Sequence, residues 1–475
     1  MKTTFAADKA LRILAAVALL CAFTLTFTVS DYYIFNRFSD FGFLFCISQW
    51  VKKAAILLIP LAVFYKNKRC ADILKYVLPV FVIISCFTFS TFFDITKAAD
   101  DYRQEIYNSI NLFFPKWLNV TLFFLQNAVI SGICALLFVR DGLGAEAKSF
   151  IYSAPAMLAC MPLNIFENFF DINAIPADSF LRFRNFTVWH LLAICALAGC
   201  AVAFYYFLKN KPRQSQNVWL AAIAIILLIQ YHSKDSMVLG DGYNVYHTIF
   251  ACIPLFICNI GVYAASVSVI LKKPVLYKIS FFIHAVGALS VFVYFGRDDM
   301  SNYGIFCSYS ILYFCLTHCL LFSLSVLPTA LGHYKFVWKD CVVPLIYYFI
   351  VIILASVCSA IVTSASMTWT DANGNSLTES DWLYPNYAFT QINPLPFEIP
   401  PVLTLRIWKY DVNVLYVLGL YAVYVALFFS FTGLYYAFLA VRKKLLARGI
   451  YAGERIDKAE EVRLEAAASD DDKQE

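Results

Sequence analysis

The sequence predicts an all-α polytopic membrane protein, and its composition is the first observation that does so. Of 475 residues, 61% are hydrophobic, 17% are aromatic and only 15% are charged, and the mean hydropathy is +0.68. Soluble domains carry roughly a quarter charged and about half apolar residues. An apolar excess this large must face lipid, which excludes an ordinary soluble enzyme. The net charge of +5 is too small to indicate a nucleic-acid-binding protein.

The second observation is a series of twelve apolar stretches. A helix of about 20 residues crosses a hydrocarbon core of ~30 Å. The first stretch has the basic flank of a signal peptide but no small-residue cleavage motif after it, so we expect it to be retained. The predicted membrane helices lie near residues 11–30, 41–65, 76–94, 117–139, 149–170, 187–208, 217–231, 248–271, 276–295, 304–327, 342–363 and 413–440.

The third observation is the distribution of basic residues between alternate loops. With the N-terminus inside, the cytoplasmic segments carry more than twice as many Lys and Arg residues as the external segments. Basic residues resist translocation, so this alternation predicts that both termini are cytoplasmic. We expect a multi-pass protein of the bacterial inner-membrane type. Residues 446–475 are too polar to bury a core and are predicted to form a cytoplasmic tail.

Weak internal similarity divides the predicted helices into two halves of six. The segment Phe43-Leu-Phe-Cys-Ile47 resembles Pro254-Leu-Phe-Ile-Cys-Asn-Ile260, and Asn127 corresponds to His318 in a second pair of similar helices. We therefore expect an N-terminal half at 1–212, a diverged copy, and a C-terminal half at 213–445. An even number of helices per half places their symmetry axis along the membrane normal. The proline-rich external stretch 364–412 is predicted to form an ordered cap.

Several motifs in the C-terminal half carry a resemblance to a known family. Residues 246–345 resemble the six-helix YwaF-type integral membrane proteins. The resemblance is carried by the segment Ile253-Pro-Leu-Phe-Ile-Cys-Asn-Ile260 and the pair Thr317-His318. It extends over about 246–440. That family is similar to eukaryotic transmembrane proteins regarded as phospholipid acyltransferases, with a helix-borne cysteine nucleophile and a histidine two helices later. The resemblance implies that Cys258 and His318 have these roles. A family pattern of Pro-Leu-His-Leu-Cys places a histidine where this chain has Phe256.

Helix geometry places the candidate residues at similar depths. At 1.5 Å per residue, Cys258 lies ~15 Å, His284 ~18 Å and His318 ~21 Å from the outer ends of their predicted helices. A thiol becomes nucleophilic when a neighbouring base favours the thiolate. For such a pair the resemblance implies acyl transfer through an acyl-cysteine. His284 and Asn259 are expected to contact substrate near the thiol, and Arg406 to hold a phosphate at the external mouth.

Each of these residues also has a structural interpretation. Cysteine is often a small packing residue, and this chain has fifteen. His318 and His284 could serve as hydrogen-bonded imidazoles on helix interfaces. Arg406 could anchor the chain at the membrane surface, as basic residues near helix ends often do.

Three functions remain open from the sequence. They are a lipid acyltransferase or lipid ester hydrolase, a transporter of a small or amphipathic solute, and a non-catalytic membrane scaffold or sensor. The low glycine content, 17 residues, and the lack of a Gly-x-x-x-Asp-Arg turn in the loop Lys66–Lys75 argue against a transporter. No nucleotide, dinucleotide or metal motif is present, so no cofactor or metal is expected. Membrane lipids are the expected partners, nucleic acid is not, and the sequence does not fix the oligomeric state.

Two adjacent lysines interrupt the second apolar stretch. Lys52 and Lys53 lie near its middle, where an ionisable side chain is costly in lipid. Either the second helix begins after them and is short, or they face a cavity and pair with an acid such as Asp94 or Glu167. We favour the cavity, because the twelve residues 54–65 alone are too few to cross a membrane.

Overall fold

The structure is a computed structural model that describes residues 2–26, 42–95, 116–142, 144–163, 176, 179–235, 253–293, 309–368, 376, 378–379, 382–392 and 399–447. Nearly all of these residues are helical, and nine of the described helices are long and apolar enough to cross a membrane. The protein is therefore an all-α polytopic membrane protein. It divides into two compact units, Met1–Tyr421 and Ala422–Glu475.

Each of the twelve predicted stretches contains a helix, and we number these helices in chain order. α9 has three parts because a π-helical turn interrupts it. The helices are α1 Lys2–Thr26, α2 Phe43–Val63, α3 Lys68–Ile95, α4 Lys116–Asp141, α5 Ala147–Ala159, α6 Val188–Leu208, α7 Arg213–Asp235, α8 Ile257–Leu271, α9 Pro274–Ile279 with the π turn Ser280–His284 and the continuation Ala285–Val293, α10 Tyr309–Ala330, α11 Val342–Ser366 and α12 Val414–Ala447.

The structure corrects the predicted start of one helix that matters for the site. In the expected stretch 248–271, helix α8 begins at Ile257 and residues 253–256 before it are not helical, while residues 248–252 lie outside the described residues. Pro254 explains this difference, because it lacks an N–H and disfavours helical backbone in the residue before it. Cys258 is therefore the second residue of α8, and the estimate that it lies ten residues into a helix is wrong.

The first unit contains two main hydrophobic cores. α1, α2, α3 and α4 form the first, in which Leu11, Ile59, Leu74 and Ile130 are almost fully buried. α7, α8 and α10 contribute most of the second core. Small and aliphatic residues of α2 and α7 pack together between these cores and connect the N-terminal helices to the C-terminal helices.

Hydroxyl groups of α11 hold the stretch that follows it. Ser359 Oγ accepts a hydrogen bond from the Tyr387 N–H at 3.1 Å, and Thr363 Oγ1 donates to the Leu383 carbonyl at 2.9 Å. Ser364 Oγ donates to the carbonyl of Ile407 at 3.1 Å. That residue belongs to an antiparallel hairpin made of β1, Thr404–Ile407, and β2, Tyr410–Asn413. Several hydrogen bonds thus fasten the described parts of 382–413 to α11.

A polar cluster lies where α9, α10 and α11 approach one another. Lys278 Nζ is 2.8 Å from Asp340 Oδ1, and the Tyr334 hydroxyl donates to Asp340 Oδ2 at 2.8 Å. Nearby, His333 Nε2 donates to Gln216 Oε1 at 2.9 Å.

His333 titrates far from its ordinary range. Burial lowers the pKa of His333 to about 3, and the neighbouring cations Arg213 and Lys272 add to that effect. The imidazole is therefore neutral at physiological pH, and Nε2 carries the proton that it donates to Gln216.

The described part of the second unit is the helical segment 422–447 of α12. Within it the Phe428 and Phe429 rings meet edge to face with centroids 5.1 Å apart, and Thr432 Oγ1 donates to the Phe428 carbonyl at 2.9 Å.

Candidate functional site at the start of α8

Cys258 lies in the first turn of α8, half-buried against the second hydrophobic core. Its Sγ–H points to Asn259 Oδ1 at 3.6 Å. The first N–H groups of a helix have no partner within the helix, and its N-terminus carries a partial positive charge. Ile260 N–H is bonded to the Phe256 carbonyl at 2.9 Å, so the amides of residues 257–259 are those at the open end. This position favours negative charge at the sulfur and beside it.

His284 holds the same end of α8 from the neighbouring helix. It is fully buried and closes the π turn of α9. Its Nδ1–H donates to the Ile257 carbonyl at 3.0 Å, because a carbonyl can only accept, and Nε2 lies 3.4 Å from the Tyr347 hydroxyl of α11. His284 thus connects α8, α9 and α11, and its contact with α8 is at Ile257, the residue before Cys258. π turns are rare and frequently occur at functional sites.

The contact between His284 and α8 depends on a glycine. A Cβ added at Gly261 would lie 2.7 Å from His284 Nδ1 and 2.9 Å from Cγ. Both distances are shorter than real contacts allow, so only glycine lets the imidazole ring pack against the helix.

His318 occupies an aromatic setting on α10. It is 8% exposed and stacks on Phe314, with ring centroids 4.1 Å apart, while Phe292 meets it edge-on at 6.0 Å. Its Nδ1–H donates to the Phe314 carbonyl at 2.8 Å. In a neutral imidazole this leaves Nε2 as the nitrogen with the lone pair, which is the form that a base requires. Phe292 lies eight residues after His284, about 12 Å further along α9.

The segment before α8 is covered by the loop after α11. Phe256 meets the rings of Tyr387 and Phe389 edge-on, with centroids 6.2 and 5.8 Å apart. Tyr387 and Ala388 form a small buried cluster there. Residue 256, where the resemblance implies a histidine, is thus an aromatic contact for the loop.

Arg406 lies on the hairpin rather than on a helix. It pairs across the strands with Asp411, Nε to Oδ1 at 3.9 Å, and both side chains are more than half exposed. The structure brings Asn259 to the Cys258 sulfur and His284 to the adjacent residue. Arg406 is engaged in this exposed ion pair, and its role toward a phosphate stays a prediction.

The segment that contains these residues matches a known family model. Residues 183–432, just over half of the chain, match the model of the TMEM164 family. The chain belongs to the TMEM164 family. No curated protein and no solved structure matches it. Cys258, His284, His318 and Arg406 all lie within the TMEM164 segment, whereas α1 to α5 precede it.

Sequence reasoning missed two parts of the site in this TMEM164 protein. Gly261 had a detectable signal, since it lies one turn after Cys258 in a chain with few glycines. Tyr347 had none, because it is one of 30 tyrosines. The described residues contain no group of three or more His, Cys, Asp or Glu that could hold a metal ion.

The lysine pair lies in the helices that precede the TMEM164 segment. Lys53 Nζ donates to Ser233 Oγ of α7 at 2.7 Å, and Lys52 Nζ lies 4.9 Å above the centroid of the Phe123 ring of α4. Both lysines line a cavity. We expected pairing with Asp94 or Glu167. The side chain of Asp94 and the whole of Glu167 lie outside the described part of the structure.

Proposed function

We propose that this TMEM164 family protein is a lipid acyltransferase or lipid ester hydrolase in which Cys258 is the nucleophile. The observation that carries the proposal is the position of Cys258 in the first turn of α8, next to a carbonyl held by His284. A helix N-terminus stabilises a thiolate, and its open amides suit the oxyanion of a tetrahedral intermediate. The implied likeness to phospholipid acyltransferases supplies the substrate class, membrane lipids.

The chemistry requires one base and two acyl-transfer steps. His318 packs on Phe292, about two turns along α9 from the histidine that contacts Ile257, so in this proposal the Cys258 thiol passes its proton to His318 Nε2 through an intervening water, and the sulfur attacks the ester carbonyl carbon. The carbon–oxygen bond then breaks, the leaving alcohol takes the proton from His318, and a thioester remains on Cys258. A lipid hydroxyl or water next gives its proton to His318 and attacks the thioester carbon, which restores the thiol.

His284 is a positioning residue in this scheme. Its two ring nitrogens are directed to Ile257 and Tyr347, so its contribution is to fix the first turn of α8. Asn259 orients the sulfur through the contact at 3.6 Å. We assign Arg406 a role in recruiting anionic head groups, which its exposed position on the hairpin permits.

The organisation predicted from the sequence belongs to the same proposal. It comprises twelve membrane helices in two halves, 1–212 and 213–445, with both termini cytoplasmic and a bacterial inner-membrane location. The alternation of basic loops supports this orientation. A transporter and a passive scaffold are the alternatives, and both lack a covalent acyl intermediate.

The experiment looks for that intermediate directly. The purified full chain in liposomes is incubated with a phospholipid that carries an alkyne-tagged acyl chain. We expect a hydroxylamine-sensitive label on Cys258, a hydroxylamine-resistant ester in Cys258→Ser, and no label in Cys258→Ala. Cys358→Ala is the matched control because it removes another half-buried thiol.

A second measurement tests the base. The alkylation rate of each cysteine by iodoacetamide-alkyne is followed by mass spectrometry, with the exposed Cys86 and Cys195 as internal references. We expect His318→Ala to slow Cys258 alone by about tenfold or more, as loss of a base does. Uniform slow labelling of all cysteines, no thioester, and an unchanged cellular lipid profile in Cys258→Ala would together reject the enzyme.

A further inference from the structure

We propose that a cavity among α1, α2, α4 and α7 binds an amphiphile that has an acyl chain and an anionic head group. This lysine cavity, which contains Lys52 and Lys53, has a volume of about 480 Å³. Ligand pockets typically measure about 300–1,000 Å³. Its lining includes neither Cys258 nor His318. The inference therefore concerns a second site and does not rest on the proposed enzyme.

The polar residues of the lysine cavity gather at one end. The Lys53 ammonium donates a hydrogen bond to the Ser233 hydroxyl, so the middle of α2 lies beside the end of α7. Lys52 lies over Phe123, and Gln126 follows Phe123 by three residues on the same face of α4. Apart from Tyr65, which follows the other end of α2, the polar lining residues are Gln49, Lys52, Lys53, Gln126 and His232.

Gln126 gives independent evidence that this end receives a ligand. It is 1% exposed, and its Oε1 has no hydrogen-bond partner among the described residues. An orphaned buried polar atom is costly and rare. The amide can accept from a ligand hydroxyl or, with oxygen and nitrogen exchanged, donate to an anionic oxygen.

The charge of the lining specifies an anion. Two lysines lie at the polar end, and no Asp or Glu is among the described residues that line the cavity. A carboxylate or phosphate can accept charge-assisted hydrogen bonds from the two lysines.

The remaining walls specify an acyl chain. Apolar residues of α1, α2 and α7 line the rest of the cavity, including Leu19, Phe23, Ile56, Pro60 and Ile225. From Gln49 to Pro60 the cavity follows α2 for about 16 Å. A head group at the lysines therefore leaves an apolar path for a chain of medium length.

The test is photo-crosslinking to the full chain in nanodiscs. A dodecanoic acid analogue with a diazirine and an alkyne is added in mildly alkaline buffer, where its carboxyl group is ionised, and labelled peptides are identified. We expect the label on α1, α2 or α7. Excess dodecanoate should abolish labelling, whereas dodecanol, with the same chain and no charge, should compete at least about tenfold less well.

A further competitor identifies the source of the anion. Phosphatidate with two dodecanoyl chains presents the same chains on a phosphate. Stronger competition by phosphatidate than by dodecanoate assigns the lysine cavity to a phospholipid, and the reverse order assigns it to a free fatty acid. Equal competition by dodecanol overturns the proposal.

Variants test the named residues. Lys52→Gln with Lys53→Gln should weaken labelling about tenfold or more, and Gln126→Leu should weaken it by a smaller factor. The matched control is Lys209→Gln with Lys211→Gln, which removes two lysines from the end of α6 and should change nothing. If the double variant at the cavity does not fold, the proposal is tested by Lys52→Gln alone and by the competition of dodecanoate against dodecanol in the wild-type chain.

Label at other helices or full labelling of the cavity variants overturns the proposal. Cys258→Ala should label normally, which separates this result from any failure of the enzyme proposal.

Discussion

The contact between Gly261 and His284 allows a quantitative test of how the start of α8 is held. Gly261→Ala places a methyl group 2.7 Å from His284 Nδ1, whereas ordinary contacts begin near 3.4 Å. The fully buried ring must move by several tenths of an ångström, and its hydrogen bond to the Ile257 carbonyl is lost or lengthened.

The magnitude follows from three contributions. Overpacking a dense interior costs about 1–3 kcal/mol, and a lost buried hydrogen bond costs about 0.5–1.5 kcal/mol. Alanine gains up to about 1 kcal/mol over glycine within a helix. Gly199→Ala in α6 is the matched control, because a methyl group there meets nothing within 4 Å. We therefore expect the free energy of unfolding of Gly261→Ala to lie about 2–4 kcal/mol below that of Gly199→Ala.

The assay is unfolding in mixed micelles by titration with sodium dodecyl sulfate, followed by tryptophan fluorescence. His284→Ala is measured alone and together with Gly261→Ala. Removing the ring removes the two closest contacts and leaves only the Cβ of residue 284 at 3.1 Å, so the methyl group should cost much less in that background. An equal cost of Gly261→Ala with and without the His284 ring would refute the packing argument.

Two further predictions concern the polar cluster around α9, α10 and α11. The pKa of His333 falls from 6.5 to about 3 on folding. Between these two pH values the unfolded chain binds a proton that the folded chain does not, so the free energy of unfolding decreases as pH falls from 6.5 toward 3. His333→Gln should therefore reduce the change of melting temperature between pH 7 and pH 4. Lys278→Met leaves the buried Asp340 carboxylate with only neutral donors such as Tyr334, and should lower the free energy of unfolding by about 2–3 kcal/mol.

Each of these has a control. An unchanged pH profile in His333→Gln would mean that other groups cause the acid sensitivity. For the ion pair, Lys339→Met removes an exposed lysine nearby and should have little effect. Adding Asp340→Asn to Lys278→Met should restore part of the loss, because it removes the stranded charge.

Most helices could be predicted from the sequence because they are long apolar runs. Every expected stretch contains a helix, and nine of the described helices are long and apolar enough to cross a membrane. Errors occurred where local chemistry overrides hydropathy. Ile253 to Phe256 are apolar yet not helical, because Pro254 cannot donate a hydrogen bond and constrains the residue before it. α7 is longer than predicted and extends from Arg213 to Asp235, since its polar ends are helical although they lower the hydropathy.

The candidate site was less accessible to sequence reasoning. Cys258 and Asn259 are neighbours in the chain, so their contact follows directly. The hydrogen bonds of His284 to Ile257 and Tyr347 join three helices, and no periodicity encodes which helices meet. The Lys53 bond to Ser233 is of the same kind, because it depends on how the N-terminal helices pack against α7.

The aromatic cover of Tyr387 and Phe389 over Phe256 has a consequence for how affinities should be expressed. These rings cover the start of α8 on the side of the loop after α11, so we expect a lipid substrate of the proposed enzyme to arrive from the bilayer rather than from bulk water. Its supply then depends on its mole fraction in the surrounding leaflet and not on its aqueous molarity. Titrations at constant total ligand but varied lipid content should therefore shift in apparent midpoint, and coincide once plotted against surface density.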